Sequence, residues 1–390
     1  MKKLLVILVF FWSFLVSGCV EHKDINELDL VQGAVFDYNK HDQRYEVHVQ
    51  IANNAAFNRG TTGGGQTQQT FFICDGAGNT VIEAIRDVSK NVNKRLFWSH
   101  CDVYIVGEEL ARRGIFPLID FLMRDNEIRE ASLFFVSQAP LTELMSVKNV
   151  GAQVPLQTIK NMIDVGLSSH GTTFKKRIIE LYQDLFTDNS CYVVPVVSVR
   201  EPNKKSKGDI PKFHVSGAAV FKGDKMIGQL TPLEVRSYSF IANQIKDTVI
   251  PTMVQDKKET MEVIGSRAEI KPHIAGGRVS FTIKVKPRIN YGEVAQPVNL
   301  ADPGFARKTE QAFNETLRKE LINSINRAKE MKADYFGLAR QVQMADKELW
   351  KSVKDIWSEE VFPDVPINVE VDSKLIRTGL VISTKMEVGK

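Results

Sequence analysis

The chain has 390 residues and carries 51 Lys and Arg against 47 Asp and Glu, a formal charge of +4. So even a balance argues against nucleic acid as a partner. Four cysteines are too few for a disulfide-built scaffold, and the length calls for two or three domains, each with its own core.

The chain opens on a targeting segment. Lys2 and Lys3 precede an almost unbroken apolar stretch, Leu4 to Val16, which runs into Val16-Ser17-Gly18-Cys19. This pattern predicts residues 1–18 as a lipoprotein signal peptide, cut between Gly18 and Cys19, with diacylglyceryl on the Cys19 sulfur and an N-acyl group as an option. The run is short of the ~20 residues a membrane span needs. The A-x-A-like site of an ordinary secretory signal is missing. A disulfide at Cys19 is the third alternative, but it leaves the preceding Ser-Gly unexplained. Two acyl chains anchor stably at ~0.8 kcal/mol per buried CH₂, so the expected place is the outer face of a membrane. Removing 18 of 390 residues, two of them lysines, leaves 372 residues and a charge of +2.

Glu21 to Glu27 reads as a polar tether. Leu30 to Phe36 and the alternating Tyr45, Val47, Val49 and Ile51 predict a β-hairpin around Tyr38-Asn39-Lys40-His41-Asp42. Residues 53–69 form a Gly/Thr/Gln loop that lacks the lysine of a phosphate-binding loop. Phe71 to Cys74 is a predicted strand, and Asp75 to Asn79 a turn into a helix with Val81, Ile82, Ile85 and Val88 on one face. Leu96 to Val106 reads as one strand, followed by helices at Glu108 to Arg113 and Phe116 to Met123 and a strand at Ala131 to Val136. Helices are expected at Val154 to Ile163 and Thr173 to Phe186. Tyr192 to Val199 is a strand that Pro195 assigns to a sheet edge.

The polar stretch 201–211 is the predicted linker between a region 19–200, with two possible subdomains, and a C-terminal α/β domain, 212–390. Its Lys204, Lys205 and Lys207 are solvated linker charges or contacts to anionic headgroups. Beyond it come a strand at Gly217 to Phe221, its return at Met226 to Leu230, and a clearer hairpin, Met261 to Ile270 and Val279 to Val285, turning at Ala275-Gly276-Gly277. A helix from Gly304 to Met331 places Phe313, Leu317, Leu321, Ile325 and Ala328 on one stripe. Another around Ala345 to Trp357 puts Val353, Ile356 and Trp357 near one face, and strands follow at Ile367 to Val371 and Leu380 to Ile382. The predicted class is α/β (α+β): multi-domain, with mixed or antiparallel sheets and helices packed on them.

No catalytic or metal-binding set emerges, and no cofactor is called for. His100-Cys101-Asp102 pairs a nucleophile with a base only on paper, because strand alternation would turn Cys101 away from its neighbours. Cys74, Cys101 and Cys191 read as buried free thiols, with one disulfide left open. Glu315, Arg318 and Lys319 fall on the exposed side of the long helix. Trp350 and Trp357 read as core, or as a stripe facing a partner subunit.

Several stretches, in order, resemble the Ger(x)C family, the lipoprotein C subunits of nutrient germinant receptors in endospore-forming bacteria. They are Asp24-Ile25-Asn26-Glu27-Leu28 with Val31-Gln32-Gly33-Ala34, and Asp75-Gly76-Ala77-Gly78-Asn79-Thr80-Val81 with Glu83-Ala84. The longest is His100 to Ala111, continuing into Gly114-Ile115 and Leu118 to Asp125. In the second half come Gly217 to Phe221, Lys225 to Gly228, Asp334-Tyr335-Phe336-Gly337-Leu338, the two tryptophans and Gly379. Trp98 ahead of His100 and the Gly/Thr/Gln loop depart from the family pattern.

The resemblance implies several α/β domains of unusual topology and no enzymatic activity. It implies a receptor in the spore inner membrane, made of this lipoprotein, an A subunit with large soluble domains and a permease-like B subunit. The small-molecule pocket is usually assigned to B. The alternative is a solute-binding lipoprotein of a transporter, which calls for two similar lobes around a cleft. A cell-wall or lipid enzyme would need a convergent polar site.

Overall fold

Val103–Gly107 and Leu133–Ser137 are unbroken apolar runs, and strands of that kind must be covered on both faces. The computed structural model, which describes residues 27–53, 70–147, 154–167, 169–202, 210–293 and 302–377, covers them so. Signal peptide, Cys19, most of the 53–69 loop, the three linker lysines and the strand expected at Leu380 to Ile382 lie outside the described residues.

The elements of the first sheet are β1 (Leu28–Asn39), β2 (Arg44–Ala52), β3 (Phe71–Gly78), α1 (Val81–Val88), β4 (Arg95–Phe97), β5 (Val103–Gly107), α2 (Glu108–Arg113), α3 (Phe116–Arg124) and β6 (Leu133–Ser137). After them come α4 (Leu141–Ser146), α5 (Pro155–Leu167), α6 (Ile178–Leu185), β7 (Cys191–Arg200), β8 (Lys212–Lys222) and β9 (Lys225–Leu230). Among the described residues the strands form a nine-stranded sheet in the order β3-β2-β1-β5-β6-β7-β8-β9, with β4 beside β1. The central pairs β1–β5, β5–β6 and β6–β7 are parallel, and the flanks are antiparallel. Tyr104, Val106, Phe134 and Val136 pack on one face with α1, α2, α3 and α6, while Val103, Ile105 and Phe135 pack on the other with α4 and α5.

The expected β1–β2 hairpin is present, closed by Asn39, whose side-chain oxygen accepts from the backbone N–H groups of His41 (2.9 Å) and Asp42 (3.2 Å). Four expectations need correction. The turn read at Asp75 to Asn79 is strand as far as Gly78. Its glycines serve close approach, since a Cβ on Gly76 would lie 2.4 Å from the Ala84 carbonyl oxygen of α1. Leu96 to Val106 is broken by a 3₁₀ turn, Trp98–His100. The helix expected from Thr173 starts only at Ile178, because the segment before it pairs with β6 through Phe134 N–H to Lys176 O at 2.8 Å. Pro195 is not at an edge: β7 lies between β6 and β8, and the missing N–H falls where the ladder slips, between Pro195 and Val197.

The polar stretch 201–211 joins two paired strands of one sheet, since Arg200 faces Lys212 and Cys191 faces Lys222. Strands β8 and β9 therefore complete the N-terminal sheet and do not open a separate one.

Among the described residues the rest builds a five-stranded sheet from β10 (Thr248–Val254), β11 (Lys257–Ala275), β12 (Arg278–Glu293), β13 (Ile367–Val371) and β14 (Lys374–Arg377). Against it lie α7 (Pro232–Ile241), α8 (Pro303–Glu330), α9 (Leu338–Ala345), α10 (Lys347–Val353), a π-helical turn (Trp357–Val361) and α11 (Phe362–Asp364). The predicted stripe of α8, from Phe313 to Ala328, is buried against this sheet. Arg236 of α7 grips Glu320 of α8 with two bonds of 2.7 and 2.8 Å and donates to the Val249 carbonyl of β10. Ala218, Val220 and Leu230 of the first sheet share this core, so the two sheets pack as one body. Among the described residues no helix is long and apolar enough to cross a membrane.

Candidate functional site

The residues singled out for chemistry do not converge. Cys101 follows the 3₁₀ turn, fully buried, and burial pushes its thiol up to about 12, so it stays protonated. His100 is exposed with its ring against Phe97, and Asp102 pairs with Lys160 of α5 at 2.8 Å. Cys74, Cys101 and Cys191 are free, and burial raises Cys74 and Cys191 as well. Glu315 and Lys319 pair at 2.8 Å, whereas Arg318 donates to the Val369 carbonyl of β13. Among the described residues no group of His, Cys, Asp and Glu is placed to hold a metal ion.

Trp350 and Trp357 belong to the core, with ring centroids 5.8 Å apart and edge to face. Ile356, expected on the same face, is exposed because α10 ends at Val353 and the chain re-enters as the π-helical turn.

Beside these rings a cleft of about 650 Å³ opens between the loop after α6 and the start of α9. One wall carries Asp184, Asp188 and Asn189, and the other carries Tyr335, Phe336 and Arg340. Lys176 pairs with Asp184, whose carboxyl is raised by burial. The indole N–H of Trp350 reaches Asp188 at 3.4 Å. Beneath the cleft, Asp334 accepts from the backbone N–H groups of Leu338 (3.0 Å) and Ala339 (2.6 Å) and from the Trp357 indole (3.1 Å). Burial raises this carboxyl, and the three donors oppose the rise.

Comparison with known families divides the chain at the same polar stretch. Residues 21–199 match the family described as "Spore germination protein N-terminal domain", and residues 216–379 match "Spore germination B3/ GerAC like, C-terminal". The chain belongs to the Ger(x)C family. This family comprises C subunits of germinant receptors and contains no known enzyme. Spore germination protein KC of Bacillus subtilis (strain 168) is 25% identical over 393 residues, covering 97% of this chain and 96% of that protein. Spore germination protein B3 of the same organism is 25% identical over 381 residues, covering 96% and 97%. The crystal structure of the GerBC protein matches with a TM-score of 0.57 at 21% identity, over 90% of this chain and all of that one, and shows the shared fold.

The stretches that resemble the Ger(x)C pattern prove to be joints. Gly107 ends β5 where a Cβ would lie 2.2 Å from the Asp37 carboxylate of β1, and that carboxylate accepts from Leu110 N–H at 3.0 Å, capping α2 across the sheet. Gly114, at φ 136°, abuts Asp224 in the β8–β9 turn, whose carbonyl accepts from Ile115 N–H at 2.9 Å. The Asp334 segment forms the clamp just described. Sequence reading missed Asp37, Asp188 and Arg340. A capping carboxylate 73 residues from its helix leaves no local pattern, and Asp188 in a loop and Arg340 on the exposed side of α9 look like solvated surface.

Proposed function

We propose that this chain is a lipid-anchored, non-enzymatic subunit of a nutrient germinant receptor, held through Cys19 at the outer face of the spore inner membrane beside A and B subunits. The observation that carries this reading is the lipoprotein signal from Lys2 to Cys19 placed directly ahead of a chain that follows the Ger(x)C pattern almost to its end. The three spare thiols and the His100-Cys101-Asp102 run are taken up in packing and ion pairing, which agrees with a role through protein contacts. A transporter's solute-binding lipoprotein would want two similar lobes. Here a nine-stranded and a five-stranded sheet share one core.

The test combines Cys19→Ala with affinity capture from spore membranes. The variant is expected to lose palmitate labelling and membrane retention and to germinate weakly, with an unchanged melting temperature. The wild-type chain is expected to bring down A- and B-type subunits. Normal responses to every nutrient after deletion of the gene refute the proposal.

A further inference from the structure

We propose that the bare face of the five-stranded sheet, around Arg267, Lys286, Arg288 and Lys374, lies against an anionic lipid surface. The choice of partner rests on the lipid-anchor reading given above.

This sheet buries one face only. Met261, Val263, Phe281, Ile283, Val285 and Ile289 turn into the shared core, and the alternate residues of β10, β11 and β12 turn away from it. A solvated sheet face gains by setting opposite charges beside each other. Part of this face does so: Glu269 pairs with Lys271 at 3.4 Å and Glu370 with Lys284 at 3.7 Å. The adjoining rungs do not. Arg267 stands directly opposite Lys286, Arg288 follows Lys286 on the same side of β12, and Lys374 of β14 stands opposite Arg288. All four are exposed, and none makes an ion pair among the described residues. Like charges set directly across a ladder weaken it, so the fold alone gives no reason for this cluster.

One of the four is held in place. The ladder slips between Val263 and Ser266, and Gly265 in that bulge has φ 129°, a conformation that favours glycine. The Arg288 guanidinium donates to the Ile264 carbonyl at 3.2 Å and lies 3.0 Å from where a Cβ on Gly265 would stand.

Beside the cations the same face turns apolar. Val249, Pro251 and Met253 alternate outward on β10, and Val249 and Met253 are 46% and 58% exposed. Positive charge next to bare apolar side chains suits the boundary between headgroups and acyl chains. The tether points to the same partner. Eight residues separate Cys19 from Leu28 at the start of β1, and fully extended they reach only about 30 Å. A body on so short a leash has the membrane as its nearest neighbour, at high effective concentration.

The mature chain carrying Cys19→Ala has no acyl anchor, so its binding to vesicles reads the face alone, whereas palmitate labelling of the wild type reads the anchor. Cosedimentation uses vesicles of phosphatidylcholine alone and of an equal mixture with phosphatidylglycerol. The chain is expected to bind the anionic vesicles at least about tenfold better than the neutral ones, and to release them as salt rises. Each cation near such a surface is worth about fivefold, so Arg267→Gln, Lys286→Gln and Lys374→Gln together should weaken binding roughly a hundredfold. Removing three exposed cations elsewhere, with Lys246→Gln, Arg340→Gln and Lys354→Gln, should change it by less than about threefold. All six side chains are exposed, so circular dichroism and melting temperature should hold. A Met253→Trp reporter on β10 should shift its emission to the blue on the anionic vesicles. Equal binding to both vesicle types, no binding to the anionic ones, equal losses in the two triple variants, or a reporter that stays unshifted while the chain binds overturns the proposal. Binding to poly-L-glutamate without binding to anionic vesicles would assign the face to an acidic protein and overturns it too.

Discussion

Replacing Asp334 by alanine removes the acceptor of three N–H groups at once: Leu338 and Ala339 in the first turn of α9, and the Trp357 indole. The site is 2% exposed, so water does not replace the lost acceptor. Each buried donor left unpaired costs about 1–3 kcal/mol, and losing a helix cap alone costs about 0.5–2 kcal/mol. Against this stands the relief of no longer burying a carboxylate whose ionisation the site opposes. The balance is a destabilisation of about 3–5 kcal/mol for Asp334→Ala. Asp334→Asn keeps one oxygen, enough for Ala339 and Trp357, but turns an NH₂ toward Leu338 N–H, and should cost about 1–3 kcal/mol. Urea unfolding followed by tryptophan fluorescence reads both, because Trp357 reports on the same contact. An alanine variant within about 1 kcal/mol of wild type, or an asparagine variant as unstable as alanine, refutes the clamp.

Two further outcomes follow from the joints. Gly107→Ala drives a methyl group into the Asp37 carboxylate, 2.2 Å away, and should cost about 1–3 kcal/mol in urea unfolding; part of that loss should return when Asp37 is shortened to serine. Glu359 bridges Lys222 and Lys332, and hydrogen bonds from these two lysines lower its carboxyl from 4.5 to about 2. A depressed acid stabilises the fold above its unfolded value and loses that contribution as pH falls through the folded one. Wild type should therefore melt above Glu359→Gln at neutral pH, and the two curves should converge between pH 4.5 and about 2. Curves that stay parallel throughout would remove the ion pairs from the account.

Elements with one clean period were legible. The β11–β12 hairpin alternates, and α8 repeats its apolar stripe, because each buries a single face. What escaped was set by distant partners. Gly76 and Gly78 look like turn residues until α1 is known to lie against them, and Pro195 looks like an edge residue until a slipped ladder absorbs its missing N–H. Leu96 to Val106 is apolar enough for one strand, yet Trp98 to His100 are consumed by a 3₁₀ turn that steps the chain from β4 to β5. The cleft was invisible because its two walls come from segments some 150 residues apart, joined only when the sheets share a core.

The β7–β8 pairing has a mechanical meaning. Family comparison divides the chain where its backbone ladder does not, so a single cut in 201–211 would nick the protein without releasing either piece. The halves should migrate together on a sizing column until denaturant is added. Neither half made alone should be soluble, since each would bare a strand edge and a share of one apolar interior.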